Sequence, residues 1–391
     1  MNPAPLERAA ESLPGVDPPA PLPPPWVVYV DLDAYYVSCE LRDRPDLAGR
    51  PVIVGPPPSA GPTRGVVLSA SYEARKFGVR SALPAMAAAR MCPDAVWLPP
   101  DFPKYERIAG EVRVRLRRFS PTVVPYSIDE AAVVLEGASA DSGRAVAVEI
   151  QRVLREELGL PSSLGVARSR IIAKIATDRA KPGGIVVVPP EEAAAFLAPL
   201  SVRAIPGVGP KTEQLLRDLG ILTIGELAST GPEALAKGVG SFAHELRAIA
   251  RGTPHESREI ESAPRSRSTD HTYALDVSEW APLEGTVREL AGELAASVQR
   301  EGFRYGTVGV AFRWSDFDRS QRSRALRAAQ EGLAPLADRA VRLARELWDS
   351  EQSGRARPVR TVSVRVERLT ERTQRQTSLE EYRPPPGPGG R

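Results

Sequence analysis

The chain has 391 residues, of which 42% are hydrophobic and 26% are charged, and its formal net charge is +3. At roughly 150 residues per domain, this length predicts about two to four domains with packed cores. No apolar run approaches the roughly 18 residues of a membrane-spanning helix, and the Pro-rich start does not resemble a signal peptide, so we expect a protein of the cell interior. Two cysteines and three histidines, far apart in sequence, argue against a disulfide framework and a structural zinc site.

The first part of the chain alternates short apolar runs with helical patterns. Residues 1–25 are Pro-rich, and we predict that they are disordered. The apolar run at 26–31 ends in acids and is typical of a central buried strand. Similar runs and two helical patterns follow, which predicts an α/β or α+β catalytic core; the runs are at 51–54, 66–69, 122–124 and 131–135, and the helical patterns are at 143–157 and 168–180.

The second part changes character near residue 190. Residues 191–252 predict short helices punctuated by glycine, and Thr223 with Glu226 predicts a capping box. A polar segment at 255–267 is a linker candidate. The remainder predicts the order β-α-β-β-α-β, with one sheet face covered by helices and the other free to bind a ligand; its strands are at 269–275, 307–314, 321–326 and 359–366, and its helices at 282–301 and 333–348. Residues 383–391 are expected to be disordered.

Two acidic pairs stand beside apolar runs. Asp31 and Asp33 end the first run, where residues i and i+2 of a strand share a face, and Asp129-Glu130 precedes the run at 131–135. Acids next to buried segments are costly unless they are paired or bind a cation, and Mg²⁺ prefers carboxylate and phosphate oxygens. Either pair alone predicts surface acids in a turn more often than a metal site.

Four motifs, taken together, carry a family resemblance. They are Val-Asp-Leu-Asp-Ala-Tyr-Tyr at 30–36 with Ser-Cys-Glu at 38–40, the segment 71–81, Ser-Ile-Asp-Glu-Ala at 127–131, and Leu-Gly-Val-Ala at 164–167 with 173–184. In this order and at these separations, the chain from about residue 26 to about residue 382 resembles the lesion-bypass (Y) family of DNA polymerases, and within it the DNA polymerase IV/kappa type.

The resemblance implies a multidomain α+β fold, the right-hand polymerase architecture. It also implies catalytic acids Asp31, Asp129 and Glu130, which would bind two Mg²⁺ ions together with the Leu32 carbonyl. The implied domains are a palm at 26–34 and 102–188, fingers at 35–101, a helical thumb with a helix-hairpin-helix at 189–254, a linker at 255–267, a βαββαβ little finger at 268–370 and a tail at 371–391.

The resemblance also implies a nucleotide pocket. Ser69, Tyr72, Arg75 and Lys181 would hold the triphosphate, and the chemistry agrees because Arg supplies bidentate and Lys point-charge contacts to phosphate. Tyr35 and Tyr36 lie where a helix N-terminus offers backbone N–H groups to phosphate, and Tyr36 matches the steric gate that excludes a ribose 2′-OH. The alternatives are core packing for the tyrosines and surface solvation for Arg75 and Lys181.

DNA contacts are expected in two places. The segment 204–212 resembles a helix-hairpin-helix, in which Gly207 and Gly209 permit a turn with φ > 0 and Lys211 adds charge; a plain Gly-rich turn is the alternative. In the last domain the expected phosphate contacts are Arg322, Arg324 and Arg360, and ordinary surface charge is the alternative. Gln376, Leu379 and Tyr382 resemble sliding-clamp binding peptides, although such short peptides also match by chance.

The activity implied by the resemblance is template-directed addition of dNTPs to a primer 3′-OH, in low-fidelity translesion synthesis. The expected partners are primer-template DNA and dNTPs, and the expected form is a cytoplasmic, nucleoid-associated monomer. Two alternatives are a catalytically inactive polymerase-like scaffold and a two-metal nuclease. The presence of all three acids argues against the scaffold, and the set Tyr72, Arg75 and Lys181 argues against the nuclease.

Overall fold

The computed structural model describes residues 24–57, 64–253, 264–352 and 357–372. These residues divide into two compact units, a larger one within 24–57 and 65–253 and a smaller one within 264–352 and 357–372. In these ranges no helix combines the length and the apolar character needed to cross a membrane.

The larger unit contains eight strands and eleven α-helices among its described residues. In chain order they are β1 (Trp26–Leu32), α1 (Tyr35–Asp43), β2 (Val52–Val54), β3 (Ser69–Ala70), α2 (Tyr72–Arg75), α3 (Ala85–Met91), β4 (Val96–Leu98), α4 (Phe102–Leu116), β5 (Val123–Pro125), β6 (Glu130–Leu135), α5 (Ala140–Leu158), β7 (Ser162–Ala167), α6 (Arg170–Ala180), β8 (Ile185–Val187), α7 (Ala193–Leu197), α8 (Pro210–Asp218), α9 (Ile224–Ser229), α10 (Pro232–Val239) and α11 (Phe242–Ala250).

A five-stranded sheet, here called the central sheet, has the order β5-β6-β1-β7-β8. Strand β1 is its middle strand and is antiparallel to both β6 and β7. All seven residues of β1 are buried, which confirms that the apolar run at 26–31 forms a central buried strand. Its side chains alternate between two cores, because successive residues of a strand point to opposite faces.

The two faces of the central sheet are covered by different helices. Val28 and Val30 of β1 pack into a core that includes Ile108 of α4 and Ile150 of α5. On the other face, Val27 and Tyr29 pack with residues of α6 and of the helices α7 to α11. Asp31 follows Val27 and Tyr29 in the same alternation, so β1 presents its acid on the α6 side.

Helix α6 lies unusually close to strand β7 at one glycine. A Cβ atom built at Gly165 would lie 2.5 Å from the Thr177 amide nitrogen and also too close to the Ala173 carbonyl oxygen. The Thr177 hydroxyl donates to the Tyr29 carbonyl at 3.1 Å. This approach sets the position of α6, which carries Lys174 and ends next to Lys181.

A small sheet with the order β3-β2-β4 forms a separate layer and its own small core. The predicted strand at 66–69 is mostly not a strand: the observed β3 covers only Ser69–Ala70, and Val66 makes a single isolated bridge to Pro84. The bonds of this bridge are made by its neighbours, since the Val67 amide donates to the Leu83 carbonyl at 2.8 Å and the Ala85 amide donates to the Gly65 carbonyl at 3.0 Å.

Two sequence predictions concern the starts of helices after residue 190. The capping box at Thr223 is confirmed, and the positive φ expected at Gly209 is not observed. In the capping box, Thr223 Oγ1 accepts from the Glu226 amide at 3.2 Å and Glu226 Oε2 accepts from the Thr223 amide at 2.9 Å. Gly207 has φ +92°, as expected for a tight turn. The expectation of a positive φ at Gly209 is wrong: this residue has φ −85° and is the N-cap of α8, a conformation open to any residue.

The smaller unit contains β9 (Ser266–Val277), α12 (Trp280–Arg300), β10 (Phe303–Trp314), β11 (Arg319–Gln330), α13 (Leu333–Gln352), β12 (Val359–Glu367) and the short β13 (Thr370–Glu371). This confirms the predicted order β-α-β-β-α-β, with β13 as an addition. The four long strands form an antiparallel sheet, here called the terminal sheet, in the order β11-β10-β12-β9.

One face of the terminal sheet is covered by α12 and α13, as predicted. Val308, Val310 and Phe312 of β10 pack into a core with Leu290 of α12 and Leu343 of α13. The other face is a trough of about 620 Å³ lined by the alternate residues of the four strands, among them Arg313, Arg319 and Arg365. We refer to it as the open face.

Candidate active site

The pairing of β1 with β6 brings the predicted catalytic acids together. In this antiparallel register Asp31 stands opposite Glu130, and the Leu32 amide donates to the Asp129 carbonyl at 3.0 Å. Asp31 is 4% exposed, while Asp129 and Glu130 are half-buried. Asp31 and Glu130, which are distant in sequence, thus meet at one end of the central sheet on the side covered by α6. Asp129 joins them through its backbone bond to Leu32, while its side chain accepts a hydrogen bond from Ser127.

Two lysines neutralise these acids. Lys181 Nζ lies 2.6 Å from Asp31 Oδ2, and Lys174 Nζ forms an ion pair with Glu130 and lies 3.6 Å from Asp31 Oδ2. The Tyr29 hydroxyl donates to Glu130 at 2.9 Å. Lys174 was not predicted from the sequence, although its spacing of seven residues from Lys181 places both on one helical face.

The electrostatics of the acid pair follow from burial and from these lysines. Burial raises the pKa of Asp31 to about 7, even though Lys181 acts in the opposite direction. Burial also pushes the pKa of Glu130 upward, but hydrogen bonds with Asp31 and Lys174 outweigh it and hold that pKa below its usual value. Burial and the neighbouring carboxylate thus raise the pKa of Asp31, while the donors around Glu130 lower the pKa of Glu130.

The chemistry of the donor atoms decides whether this site fits a divalent cation. Among the described residues, no three His, Cys, Asp or Glu side chains are arranged as a metal-ligand group. Lysines form ion pairs with Asp31 and Glu130. The Asp129 carboxylate accepts a hydrogen bond from the Ser127 hydroxyl at 2.6 Å. The donor set is nonetheless all oxygen, which suits a hard cation. Ammonium groups already occupy the carboxylates, so this end of the sheet is built to hold positive charge.

The predicted triphosphate contacts lie beside these acids. The Tyr72 hydroxyl donates to Asp33 Oδ1 at 3.1 Å, and the Arg75 guanidinium lies 4.6 Å from the centre of the Tyr72 ring. Ser69 is buried in β3, and Ser71 caps α2 by accepting from the Ala74 amide. Burial and the Asp33 carboxylate raise the pKa of Tyr72 to about 12, which keeps its hydroxyl a donor. Tyr72 and Lys181 thus reach neighbouring acids from different elements.

Tyr35 and Tyr36 begin helix α1 and pack against α4. Tyr35 is buried, and its hydroxyl donates to the Tyr105 carbonyl at 2.6 Å. The half-buried Tyr36 ring lies 4.8 Å from the Tyr105 ring and 6.3 Å from the Phe102 ring. This packing is one of the two roles weighed from the sequence, and it is compatible with the other, contact with the sugar of a nucleotide.

The predicted DNA contacts lie in both units. Lys211 is exposed in the first turn of α8, next to Gly209, where a Cβ atom would meet no atom within 4 Å. In the terminal sheet, Arg322 and Arg324 pair in register with Val310 and Val308, which places them on the helix-covered side.

Both of these arginines are engaged by a helix of the same unit. Arg322 and Arg324 contact Glu346 of α13 at 3.4 and 3.1 Å. Arg360 lies at a strand irregularity, with its guanidinium 4.6 Å from the Phe317 ring centre. The arginines of the open face were not singled out from the sequence, although the period-two alternation of β10 and β12 identifies Arg313 and Arg365. The clamp-peptide residues Gln376, Leu379 and Tyr382 lie outside the described residues.

Comparisons with family models cover most of the chain. Residues 30–178 match the model of the impB/mucB/samB family, residues 190–221 match the HHH motif of the same family, and residues 264–379 match its C-terminal domain.

Whole proteins match as well. A DNA polymerase IV of Methanoculleus marisnigri is 38% identical over 357 residues, covering 91% of this chain and 98% of that protein. A DNA polymerase IV of Alkalilimnicola ehrlichii is also 38% identical, over 345 residues, covering 88% and 95%. Among solved structures, a chimera of the Y-family DNA polymerases Dbh and Dpo4 has a TM-score of 0.79 at 25% identity, covering 88% of this chain and 99% of that one. An insertion ternary complex of Dbh DNA polymerase has a TM-score of 0.62 at 25% identity, covering 88% and 98%.

Proposed function

Because the chain belongs to the impB/mucB/samB family, in the DNA polymerase IV group of Y-family polymerases, we propose that Asp31, Asp129 and Glu130 are its catalytic acids. The chain is a template-directed DNA polymerase that acts in translesion synthesis. Its partners are template-primer DNA and dNTPs, and it uses a divalent metal.

The single observation that carries the assignment is the register of β1 and β6. This register sets Asp31 opposite Glu130 and ties Leu32 to Asp129 through one backbone hydrogen bond. Acids placed on paired central strands keep a fixed separation, and two-metal phosphoryl transfer needs such fixed carboxylates. Tyr72 and Lys181, two of the proposed triphosphate contacts, lie at the same end of the sheet as these acids.

We propose two Mg²⁺ ions, held by Asp31, Asp129, Glu130 and the Leu32 carbonyl. When bound, such ions lower the pKa of the attacking primer hydroxyl and neutralise charge on the leaving pyrophosphate. Strands β1 and β6 hold Asp31 and Glu130, Asp129 lies in the bend just before β6, and burial excludes water from Asp31. Lys174 contributes by holding Glu130 in place from α6.

The triphosphate contacts are assigned to Ser69, Tyr72, Arg75 and Lys181. Lys181 ends α6 and is only half-buried, so its ammonium can move from Asp31 to a phosphate oxygen. The Arg75 guanidinium is held by the Ala70 carbonyl at 3.0 Å and by the Tyr72 ring, which aims a planar donor group at phosphate. Tyr35 and Tyr36, at the start of α1, complete the pocket as proposed backbone and sugar contacts.

DNA is proposed to bind at two sets of residues. Gly207, Gly209 and Lys211 would contact phosphate at the N-terminus of α8, where unpaired backbone N–H groups favour an anion. In the terminal sheet the proposed contacts are Arg322, Arg324 and Arg360, to which the structure adds Arg313 and Arg365 of the open face. Such phosphate contacts fix position without reading sequence.

The proposed domains are a palm at 26–34 and 102–188, fingers at 35–101, a thumb at 189–254, a linker at 255–267, a little finger at 268–370 and a tail at 371–391. We also propose that the protein is a nucleoid-associated monomer in the cytoplasm, and that Gln376, Leu379 and Tyr382 bind a sliding clamp. Neither the inactive scaffold nor the nuclease is retained, because no observation favours either of them.

Primer extension tests the assignment. The double variant Asp129→Ala/Glu130→Ala should extend a primed template more slowly by on the order of 10³-fold or more, because it loses two of the three acids that would hold the metal. Its affinity for primer-template, measured by fluorescence anisotropy, should stay close to wild type, because distant phosphate contacts dominate binding.

Ser120→Ala is the control for this test, because it removes a buried hydrogen bond to the Val134 carbonyl far from the acids. This variant should extend primers normally. The proposal would be overturned if the double variant extended primers at the wild-type rate. It would also be overturned if the wild-type protein still extended primers after divalent metal had been chelated.

A further inference from the structure

Asp33 is a buried carboxylate that the catalytic assignment does not use. It follows β1, two residues after Asp31, and is 2% exposed. A carboxylate so deeply buried is strongly destabilising unless its oxygens are hydrogen-bonded or paired with a cation. Its partners therefore show what the residue does.

Three neutral donors satisfy this carboxylate. The Tyr72 hydroxyl lies 3.1 Å from Oδ1, the Gly183 amide lies 2.9 Å from Oδ2, and Ser163 Oγ lies 3.0 Å from each oxygen. Ser163 is itself fully buried and accepts from the Gly183 amide at 2.9 Å. Among the described residues of the larger unit, no basic side chain forms an ion pair with Asp33, in contrast to Asp31.

The three donors come from three different elements. Tyr72 begins α2, beside the small sheet; Ser163 lies in β7 of the central sheet; and Gly183 lies in the turn just after Lys181. One carboxylate therefore fixes the position of a phenol and of the turn that carries a lysine. In the proposed function, both of these side chains contact the triphosphate.

The same hydrogen bonds argue against Asp33 as a metal ligand. Both of its oxygens accept from protein donors, and hydrogen bonds to a charged acceptor are about twice as strong as neutral ones. A cation on Asp33 would compete with these donors: the Tyr72 hydroxyl would be separated from its Asp33 acceptor, and the Gly183 amide would keep only Ser163 Oγ.

We propose that Asp33 is a positioning residue of the nucleotide pocket, which holds Tyr72 and the Lys181 turn in the geometry that binds an incoming dNTP. This inference rests on the proposed polymerase function. Asp33 acts through Tyr72 and Lys181 and touches no reacting atom. Loss of its charge should weaken dNTP binding much more than the insertion step itself.

The test is single-turnover insertion of one nucleotide by the full chain, measured over a range of dNTP and Mg²⁺ concentrations. Asp33→Asn replaces one acceptor oxygen with a donor that faces other donors. We expect it to raise the apparent dNTP dissociation constant by roughly tenfold or more, and to change the maximal rate by less than about threefold. The Mg²⁺ concentration for half-maximal rate at saturating dNTP should stay unchanged.

A double-mutant cycle identifies the route of the effect. Tyr72→Phe removes only the hydroxyl that reaches Asp33, so its effect and that of Asp33→Asn should combine less than multiplicatively. Ser163→Ala removes another donor from the same carboxylate and should raise the dNTP dissociation constant by a smaller factor. It also keeps the test available if Asp33→Asn does not fold. Ser120→Ala, which removes a buried hydrogen bond elsewhere, should leave dNTP affinity unchanged.

Three results would overturn the inference. A large shift of Mg²⁺ activation with loss of maximal rate would make Asp33 a metal ligand. Lower thermal stability with unchanged dNTP affinity would make it a packing residue only, and so would fully multiplicative effects with Tyr72→Phe. Extension by the wild-type chain reports separately on the proposed function, so a wild-type protein that does not extend primers would refute that function and not the role of Asp33 within it.

Discussion

Tyr36 illustrates how one side chain can serve both packing and selectivity. Its ring lies in a cluster with Tyr35, Phe102 and Tyr105, at centroid distances of 4.8 to 6.3 Å. Glu40 anchors this cluster, since it accepts from the Tyr105 hydroxyl at 2.7 Å and from Lys104 at 2.9 Å. A ring that must exclude a single hydroxyl group has to be held rigidly, and this cluster supplies the rigidity.

We therefore expect Tyr36→Ala to admit ribonucleotides. Removing the ring removes the clash with the 2′-OH, and the preference for dCTP over rCTP opposite template G should fall by on the order of 100-fold. The measurement is the ratio of the two kcat/KM values. Phe102→Ala, which removes one neighbouring ring but keeps Tyr36 and its contact with Tyr105, should lower this ratio by much less. An unaltered ratio in Tyr36→Ala would mean that Tyr36 only packs.

Among the secondary-structure elements, the pair β7 and α6 carries the most demanding contact. Gly165 has no room for a side chain because backbone atoms of α6 fill the space over it. Helix α6 carries Lys174 and sets the position of Lys181, so this contact fixes both lysines relative to Asp31. Backbone atoms cannot rotate away as a flexible side chain can, so the strain of a methyl group here would spread into α6.

Gly165→Ala should accordingly lower the free energy of unfolding by about 3 kcal/mol or more, measured by urea denaturation. Gly110→Ala is the matched control: Gly110 lies within α4, and a Cβ atom there would meet no atom within 4 Å. We expect that change to be neutral or to stabilise by about 1 kcal/mol, because Ala is the better helix former. Equal effects of the two variants would contradict the packing argument.

The terminal sheet separates its arginines by face. Arg313 and Arg365 extend from the open face, whereas Arg322 and Arg324 lie on the helix-covered side, where Glu346 shares their charge. A polyanion approaching the open face meets the first pair without a helix in the way. The second pair lies in β11, the edge strand of the terminal sheet. It can reach a phosphate bound at the open face only by extending around that edge.

This arrangement predicts unequal contributions to DNA binding. Arg313→Ala/Arg365→Ala should lower the slope of log affinity against log salt by about two, because each substitution removes one arginine that neutralises a phosphate. Arg322→Ala/Arg324→Ala should lower it by less, because that pair lies on the helix-covered side of the sheet. Ion pairing alone does not distinguish the two sets, since Glu367 lies 3.0 Å from Arg365 just as Glu346 lies 3.1 Å from Arg324. Fluorescence anisotropy at several salt concentrations measures both slopes. If neither pair changes the slope, the terminal sheet carries ordinary surface charge and does not grip DNA.

At the level of the whole molecule, the protein contains two units with separate cores. The larger unit packs the central sheet between helices, and the smaller unit packs the terminal sheet against α12 and α13 in a core of its own. The proposed catalytic acids, the proposed nucleotide contacts and the proposed DNA contacts at Gly207–Lys211 belong to the larger unit, and the arginine-bearing sheet belongs to the smaller one. The proposed chemistry is thus confined to one unit, whereas the proposed DNA contacts are divided between both.

Removal of residues 373–391, which lie outside the described residues, tests the proposed clamp peptide. The truncated chain should bind primer-template and extend it as the full chain does, because every proposed site of catalysis and DNA contact precedes residue 373. Stimulation by a sliding clamp should disappear, since a short peptide that docks an apolar side chain supplies most of such binding. Clamp stimulation that survives the truncation would refute the assignment of Gln376, Leu379 and Tyr382.

The sequence alone determined the order of elements and most strand positions, and it predicted the three acids that we propose as catalytic. The buried strand β1 is indicated by an unbroken apolar run, and the start of α9 by the capping box of Thr223 and Glu226. Each of these features depends only on residues that are neighbours in sequence. The four motifs also identified the family, because their residue types, order and spacing are set by one chemistry.

Only the tertiary structure decided which side chains meet. The engagement of Asp31 by Lys181 depends on the packing of α6 over Gly165. The link from Asp33 to Tyr72 depends on the packing of α2 beside the end of β1, and the side of the sheet taken by Arg322 depends on the register of β10 and β11. A register shifted by one residue would move Arg322 to the opposite face. The physical reason is that contacts between residues far apart in sequence are fixed by the packing of whole elements, which leaves no local pattern to read.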